Sequence, residues 1–219
     1  MARPRTALLA GATGLTGGHV LSQLLADARC ARVIALVRKP TLPANPKLSE
    51  LVVDFDALPA LANADDAYCC LGTTIKKAGS QAAFRKVDFA FVLNFARAAR
   101  QAGVKQFLVM SSLGADARSA VFYSRVKGEM ELALREIGFE ALHVFQPSLI
   151  LGERKEQRTA ERVGIAAFGA MGGLMFGPLR KYRPIESATI ARAMIAAAFS
   201  NRRGTRVYPS DVIETMARS

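Results

Sequence analysis

The sequence predicts an α/β fold: a three-layer, doubly wound, mostly parallel sheet of about seven strands with helices on both faces. Short apolar runs alternate with amphipathic helical runs along the 219 residues, and this alternation is typical of a parallel sheet. A glycine-rich turn joins the first apolar run to the first helix, an arrangement that binds phosphate groups. We expect one domain over 1–219, with 152–183 as a substrate-side or lid segment.

The apolar spacing predicts each element in turn. In the second helix, for example, Phe84, Val87 and Phe91 lie three and four positions apart, as one face of a helix requires. The same reasoning along the chain predicts strands near 5–10, 32–37, 49–53, 66–71, 105–111, 141–147 and 205–208, and helices near 17–27, 80–101, 119–137, 158–170 and 187–200.

Composition limits the class of protein. A hydrophobic fraction of 51% predicts a real core, and the formal net charge of +12 predicts a basic surface. The basic residues are scattered and match no nucleic-acid-binding module, so we interpret the charge as a solvated surface and do not expect a nucleic-acid partner. A ligand with several phosphates would use part of this charge.

Three features bear on location. The first residues, Met1–Arg5, lead straight into a strand without an apolar signal region. The longest charge-free stretch, Val163–Leu179, is short and rich in glycine, whereas a membrane helix needs roughly 20 apolar residues. The three cysteines lack metal-ligand spacing and indicate reduced thiols. We therefore expect a cytoplasmic protein with no membrane partner and no metal site.

The glycine turn predicts a dinucleotide site. Gly11 allows a tight turn, Gly14 lets the backbone approach a diphosphate, and Gly17 lets the helix pack close to the strand. The turn is more informative than a glycine triplet alone, because a strand and a helix flank it as the motif requires. We expect the whole turn to contact the cofactor, which adds Thr13, Leu15 and Thr16 to the three glycines.

The end of the second strand predicts which cofactor is bound. An acidic residue there binds the ribose 2′-OH of NAD, whereas an arginine accommodates the 2′-phosphate of NADP. This strand ends in Arg38 with no carboxylate at hand, which favours NADP over NAD, although Arg38 could also be an ordinary surface residue. Asp54 and Phe55 follow the third strand and face the adenine. The small residues of Leu71–Thr73, which include Gly72, let the chain pass the cofactor.

The reactive groups are expected after the fifth strand. That strand ends in Ser111-Ser112, and the following helix carries Tyr123 and Lys127, which share a face because they are four residues apart. When a hydride reaches a carbonyl carbon, the oxygen needs a proton. A tyrosine hydroxyl, with a pKa of about 10, can supply it, and a nearby ammonium lowers that pKa. A serine hydroxyl can hold the carbonyl oxygen in place.

Together these motifs resemble the short-chain dehydrogenase/reductase superfamily, which has the Rossmann fold. The stretch from Ser111-Ser112-Leu113-Gly114 to Tyr123-Ser124-Arg125-Val126-Lys127 is most similar to its atypical branch, and there to bacterial relatives of the human Tat-interacting oxidoreductase-like protein. The resemblance covers nearly the whole chain.

The resemblance implies a role for each residue. Tyr123 is implied as the acid/base, Lys127 as the ribose-binding residue that tunes it, and Ser112 as the serine that orients the carbonyl, with Ser111 as the alternative. Pro147-Ser148 is similar to the family's turn against the nicotinamide. The chain departs from many relatives at Val87-Asp88, where they have Val-Asn.

Two functions follow. The first is an NADP-dependent oxidoreductase that interconverts a small carbonyl compound and an alcohol by hydride transfer, with the substrate and direction unspecified. The second is a regulatory or interaction protein that binds NADP(H) and catalyses little, as Asp88 and the glycine-rich segment 152–183 would allow. The apolar residues of that segment could line a pocket or form a subunit interface, which leaves a homodimer open.

Overall fold

The computed structural model describes residues 3–152, 177–200 and 202–218. It confirms the predicted fold, because seven strands form one fully parallel sheet with helices on both faces. These strands are β1 (Arg5–Ala10), β2 (Cys30–Val37), β3 (Leu48–Val52), β4 (Asp66–Cys69), β5 (Gln106–Met110), β6 (Ala141–Gln146) and β9 (Gly204–Pro209). A separate parallel pair, β7 (Ile150–Leu151) and β8 (Ile185–Glu186), was not predicted.

Four of the five predicted helices are present, and the fifth, at 158–170, lies outside the described residues. The described helices are α1 (Leu15–Ala26), α2 (Ile75–Ala78), α3 (Gln81–Arg85), α4 (Phe91–Gln101), α5 (Phe122–Arg135), α6 (Ser187–Ala198) and α7 (Ser210–Met216), with a 3₁₀ turn at Gly177–Tyr182. The short helices α2 and α7 were not predicted. The predicted helix at 80–101 is continuous from α3 to α4, but it contains one π-helical turn, Lys86–Ala90. No helix in the described part of the chain is long and apolar enough to cross a membrane.

Two apolar cores lie on opposite faces of the sheet. Neighbouring strand residues point to opposite faces, so Leu9 belongs to one core and Leu8 to the other. The first core is closed by α1, α6 and α7, and the second by α4 and α5. Three layers result, and the sheet is buried on both faces as parallel sheets are.

The strand order sets the position of a binding crevice. The order is β3-β2-β1-β4-β5-β6-β9, so the chain leaves β1 toward one side of the sheet and later returns to its other side at β4. In such sheets ligands bind outside the carboxyl ends of the strands at this switch point. The loops after β1 and β4 therefore meet at the expected cofactor site.

The amino end of the same sheet holds a buried polar network. Gln106, at the start of β5, donates to an Asp66 oxygen at 2.6 Å and to the Ala198 carbonyl oxygen at 3.0 Å. The Arg5 guanidinium pairs with Asp66. His143 bridges Gln106 Oε1 at 3.2 Å and the Tyr208 hydroxyl at 2.9 Å. Arg5, Asp66 and Gln106 lie at the starts of their strands, and the two contacts of His143 extend the network along β6 to β9.

Candidate functional site

The glycine turn after β1 has the shape of a phosphate cradle. Gly11 has φ of +87°, and its carbonyl oxygen accepts the Gly14 N–H at 2.9 Å. A Cβ at Gly17 would overlap the Gly11 carbonyl oxygen, and a Cβ at Gly11 would overlap the backbone of Cys70 after β4. Two of the three glycines are therefore required by close backbone contacts. The residues present fit a dinucleotide diphosphate.

The start of α1 completes the cradle. Its N-cap residue is Gly14, which offers no side-chain cap, so the N–H groups of the first turn are left for another acceptor. Thr13 is exposed at the turn, and Leu15 and Thr16 begin the helix. An anion at this helix end would be stabilised by these N–H groups and by the helix dipole.

The expected adenosine side lies at the ends of β2 and β3. Arg38 follows β2 directly and is exposed, and in the described chain its guanidinium has no hydrogen-bond or ion-pair partner. Asp54 is also exposed, and one of its carboxylate oxygens accepts the Asp56 N–H at 2.9 Å. Phe55 is buried, with its ring 5.6 Å from the Phe91 ring, so it supports the loop from below. Arg38 therefore remains available to a ligand phosphate.

The loop after β4 is held by Asp88 from the π-helical turn. Asp88 Oδ2 accepts the Thr73 N–H at 2.8 Å. A Cβ at Gly72 would lie 3.4 Å from Asp88 Oδ1, which is ordinary contact. Leu71 and Thr73 are partly buried where the loop passes the glycine turn. Asp88 thus fixes the loop that is predicted to contact the cofactor.

The two serines after β5 have different surroundings. Ser111 is buried, and its hydroxyl donates to the Glu131 carboxylate while its N–H donates to the Phe145 carbonyl oxygen at 2.7 Å. Ser112 is only partly buried, and its hydroxyl makes one long contact of 3.4 Å with the Leu113 carbonyl oxygen. The Ser112 hydroxyl is therefore available to a substrate oxygen, whereas the Ser111 hydroxyl is used in a hydrogen bond within the protein.

Helix α5 carries three polar side chains on one face. Tyr123, Lys127 and Glu131 are spaced by four residues, so they follow one another along the helix. The half-buried Tyr123 ring packs 5.4 Å from the ring of Phe84. A Cβ at Gly128 would overlap the backbone of Asp116-Ala117, so this glycine lets α5 approach the loop after Ser112 closely. The helix is thereby held beside the end of β5.

Lys127 is buried in an ion pair. Its Nζ lies 2.7 Å from Asp88 Oδ1, and the two side chains are only 4% and 1% exposed. Burial alone would lower the pKa of Lys127, but the negative charge of Asp88, the nearby Tyr123 and the hydrogen bond to Asp88 outweigh it and raise that pKa. The ammonium therefore stays charged inside the protein.

Glu131 is a residue that sequence reasoning missed. Besides the Ser111 hydroxyl, its carboxylate accepts the Gln146 amide at 2.9 Å, so it links the ends of β5 and β6. Burial raises the pKa of Glu131, and the bonds from Ser111 and Gln146 oppose that shift. The four-residue spacing from Lys127 was a signal that could have identified it. No local pattern indicated that Asp88 would pair with Lys127.

The turn after β6 is tied into the fold. The buried Pro147 offers its carbonyl oxygen to the Leu113 N–H at 2.9 Å. The Ser148 hydroxyl donates to the Arg183 carbonyl oxygen and lies 3.1 Å from the Ser210 hydroxyl.

The structure thus places all the predicted site residues along one edge of the sheet, from Arg38 to Ser148. Most of the predicted segment 152–183 lies outside the described residues.

A comparison with known protein families shows which family this chain belongs to. A family described as NAD(P)H-binding matches residues 11–159 of the chain, which include the glycine turn and Tyr123 to Lys127. The chain belongs to this NAD(P)H-binding family.

Its relatives agree with this assignment. Protein HTATIP2 from Rattus norvegicus is 36% identical over 174 residues, which cover 76% of this chain and 72% of that protein. The mitochondrial protein fmp52 from Aspergillus niger is 33% identical over 206 residues, covering 90% of this chain and 88% of that protein. The predicted resemblance to the atypical short-chain dehydrogenase/reductase branch is confirmed.

Solved structures share the fold. Human epimerase family protein SDR39U1 with NADPH matches with a TM-score of 0.64 at 19% identity, over 92% of this chain and 73% of that one. MoeE5 in complex with UDP-glucose and NAD matches with a TM-score of 0.70 at 18% identity, over 97% of this chain and 80% of that one. At such identities the likeness shows the Rossmann fold alone.

Proposed function

We propose that the protein is an NADP(H)-dependent oxidoreductase that interconverts a small carbonyl compound and an alcohol. The observation that carries the proposal is the buried, charged Lys127 one helical turn from Tyr123, on a helix packed against the loop that follows Ser112. Membership of the NAD(P)H-binding family and the phosphate cradle at Gly11–Gly17 support the cofactor class.

The residues divide the chemistry among them. The nicotinamide cofactor, when bound, supplies or accepts the hydride. The Ser112 hydroxyl donates a hydrogen bond to the substrate oxygen and orients it. Tyr123 gives its hydroxyl proton to that oxygen during reduction, or removes the proton during oxidation, and the Lys127 charge favours the phenolate that results. The glycine turn would hold the diphosphate of the cofactor, and Lys127 would bind its ribose.

The preference for NADP over NAD rests on Arg38. Among the described residues, the exposed Arg38 guanidinium after β2 has no partner and no carboxylate beside it, and such a group suits a 2′-phosphate. Calorimetric titration of NADPH and NADH tests this, with Arg38→Ala as the matched variant. We expect NADPH to bind at least about tenfold more tightly, which is about 1.4 kcal/mol, and the variant to lose that preference. Tighter binding of NADH to the wild type would contradict it.

Tyr123→Phe tests the mechanism. With NADPH and a panel of small aldehydes and ketones, we expect the variant to lose turnover by about a thousandfold, because it lacks the transferable proton. NADPH affinity should remain close to wild type, since the aromatic ring and its packing on Phe84 are retained. A variant with wild-type kcat would refute the role of Tyr123.

A second function is favoured by the same ion pair. Asp88 neutralises the charge of Lys127, which leaves little net charge to act on Tyr123. A protein that binds NADP(H) as a regulatory signal and catalyses little would tolerate this arrangement. If the wild type binds NADPH tightly but turns over no carbonyl compound or alcohol in a broad panel, the regulatory function replaces the enzymatic one.

Location and partners complete the proposal. We propose a cytoplasmic protein whose partner is a small-molecule substrate rather than a nucleic acid or a membrane, with a homodimer left open. The relative from Aspergillus niger bears a mitochondrial name, so fractionation of cells that produce the protein is a direct test of location. Light scattering of the purified protein decides between monomer and dimer.

A further inference from the structure

The Asp88–Lys127 pair is unusual for its complete burial. Ion pairs at protein surfaces contribute little to stability, whereas two buried charges must compensate each other or become neutral. Here both side chains are at most 4% exposed and their charged atoms are 2.7 Å apart. If either partner were lost, the other would be a buried and unpaired charge.

Among the described residues, Lys127 forms an ion pair with Asp88 alone. The groups that raise the pKa of Lys127 are Asp88 from the π-helical turn, Tyr123 from its own helix and Cys69 from β4, and the charge of Lys127 in turn acts on Glu131. Glu131 lies one turn further along α5, but its carboxylate is bonded to Ser111 and Gln146. Asp88 is therefore the group that offsets the burial of the ammonium.

Asp88 also reaches a second element. While Oδ1 pairs with Lys127, Oδ2 accepts the Thr73 N–H at 2.8 Å. One carboxylate thus joins the π-helical turn, α5 and the loop after β4. Because the two oxygens bind different groups, a substitution can remove the charge that pairs with Lys127 and keep the acceptor for Thr73.

We propose that Asp88 is a positioning residue that keeps the buried Lys127 ammonium charged and ties it to the cofactor loop after β4. The part of this inference that concerns the cofactor rests on the proposed function. The part that concerns the charge of Lys127 does not. Many relatives have asparagine at position 88. An asparagine there could accept the Thr73 N–H but could not balance the charge of the Lys127 ammonium, whereas Asp88 does both.

Thermal unfolding between pH 6 and 9.5 tests the charge without any cofactor. Asp88→Asn keeps an acceptor for Thr73 and removes the negative charge. We expect its Tm to fall by about 10 °C at pH 6, because the ammonium is left unpaired. The deficit should shrink as the pH rises, since the folded variant then releases the Lys127 proton more readily than the unfolded chain. A deficit that is the same at every pH, or no deficit, would overturn the proposal.

Two further variants keep the test decisive. The double variant Asp88→Asn/Lys127→Met has no buried charge at this place, so we expect it to recover most of the lost Tm and to lack the pH dependence. If Asp88→Asn fails to fold but the double variant folds, the proposal is supported; failure of both overturns it. Glu140→Gln, which breaks exposed pairs with Lys105 and Arg203 at the other end of the sheet, is the control and should change Tm little.

NADPH fluorescence titration over the same pH range tests the cofactor part. We expect a wild-type dissociation constant that is nearly independent of pH, and an Asp88→Asn constant that rises up to about tenfold per pH unit once Lys127 loses its proton. Asp88→Ala, which also releases Thr73, should bind more weakly at every pH. Equal pH profiles for wild type and Asp88→Asn would overturn this part. If the wild type binds neither NADPH nor NADH, the proposed function fails, and the unfolding data still decide the charge.

Discussion

The two ends of the parallel sheet both contain buried polar side chains, but those side chains differ in what remains for a ligand. At the amino end, Gln106 and His143 use all their side-chain donors and acceptors on other parts of the protein. At the carboxyl end, Arg38 is exposed and without a partner in the described chain, and the Ser112 hydroxyl has only one long contact.

Shifted pKa values occur at both ends and therefore do not locate the site. Burial raises the pKa of Asp66 to about 7 against the opposing effects of Arg5 and Gln106. Burial, followed by the charges of Arg202 and Arg206, lowers the pKa of His143 to about 4. These shifts are as large as those of many catalytic groups, yet they belong to an interior network. What distinguishes the carboxyl end is unused hydrogen-bonding capacity beside a backbone cradle.

The largest difference between the two ends of the sheet is expected in kcat, when the serines at the carboxyl end are replaced. Ser112→Ala should lower kcat by about a hundredfold, because the substrate oxygen loses a donor, with little change in Tm. Ser111→Ala should instead lower Tm and have a small effect on kcat, because the Ser111 hydroxyl serves Glu131. Steady-state kinetics and thermal unfolding of both variants measure this. If Ser111→Ala has the larger kinetic effect, the two serines must exchange roles.

A substitution at the amino end should affect stability alone. Gln106→Leu leaves Asp66 and His143 short of partners, so we expect the free energy of unfolding to fall by about 3 kcal/mol. NADPH affinity should stay at the wild-type value wherever the variant is folded. Chemical denaturation and NADPH titration at 15 °C check this. A loss of affinity in the folded variant would show that the two ends are coupled.

The smallest expected effect is the pH dependence of stability that Asp66 and His143 produce at the amino end. Folded Asp66 keeps its proton up to about pH 7, whereas its ordinary pKa is 3.8, so its contribution to stability is lost as the pH rises through that window. Folded His143 stays neutral down to about pH 4, whereas its ordinary pKa is 6.5, so its contribution is lost as the pH falls through that range. Between pH 4 and 6.5, a rise in pH therefore lowers the stability through Asp66 and raises it through His143.

Single substitutions should therefore reveal each slope. From pH 4 to 6.5, we expect Asp66→Asn to gain about 2 kcal/mol of unfolding free energy relative to wild type, and His143→Phe to lose a similar amount. Chemical denaturation at three pH values in this range is sufficient. Parallel profiles for both variants and the wild type would mean that neither group titrates as its environment indicates.

Most of the fold was predictable because it depends on local patterns. The apolar run before Gly11, the spacing from Phe84 to Phe91 and the position of Gly17 each depend on residues close together in the sequence. The pair β7–β8 was missed because two-residue strands have no periodicity. Asp88 meets Lys127 across 39 positions of sequence, and only the packing of two helices brings them together. The choice between Ser111 and Ser112 likewise depends on Glu131, which belongs to another element.

The π-helical turn at Lys86–Ala90 makes the chain sensitive to length at this point. Such a turn holds one more residue than the α-helix around it. Deleting any one residue there would let α3 and α4 join as a regular helix, and it would rotate the residues on one side by about 100° relative to the other. If the deleted residue lies between Asp88 and α4, as Phe89 does, Asp88 would rotate away from Lys127 while the core face of α4 stayed in place. The contact between Asp88 and Lys127 therefore depends on the number of residues in this turn as well as on their identity.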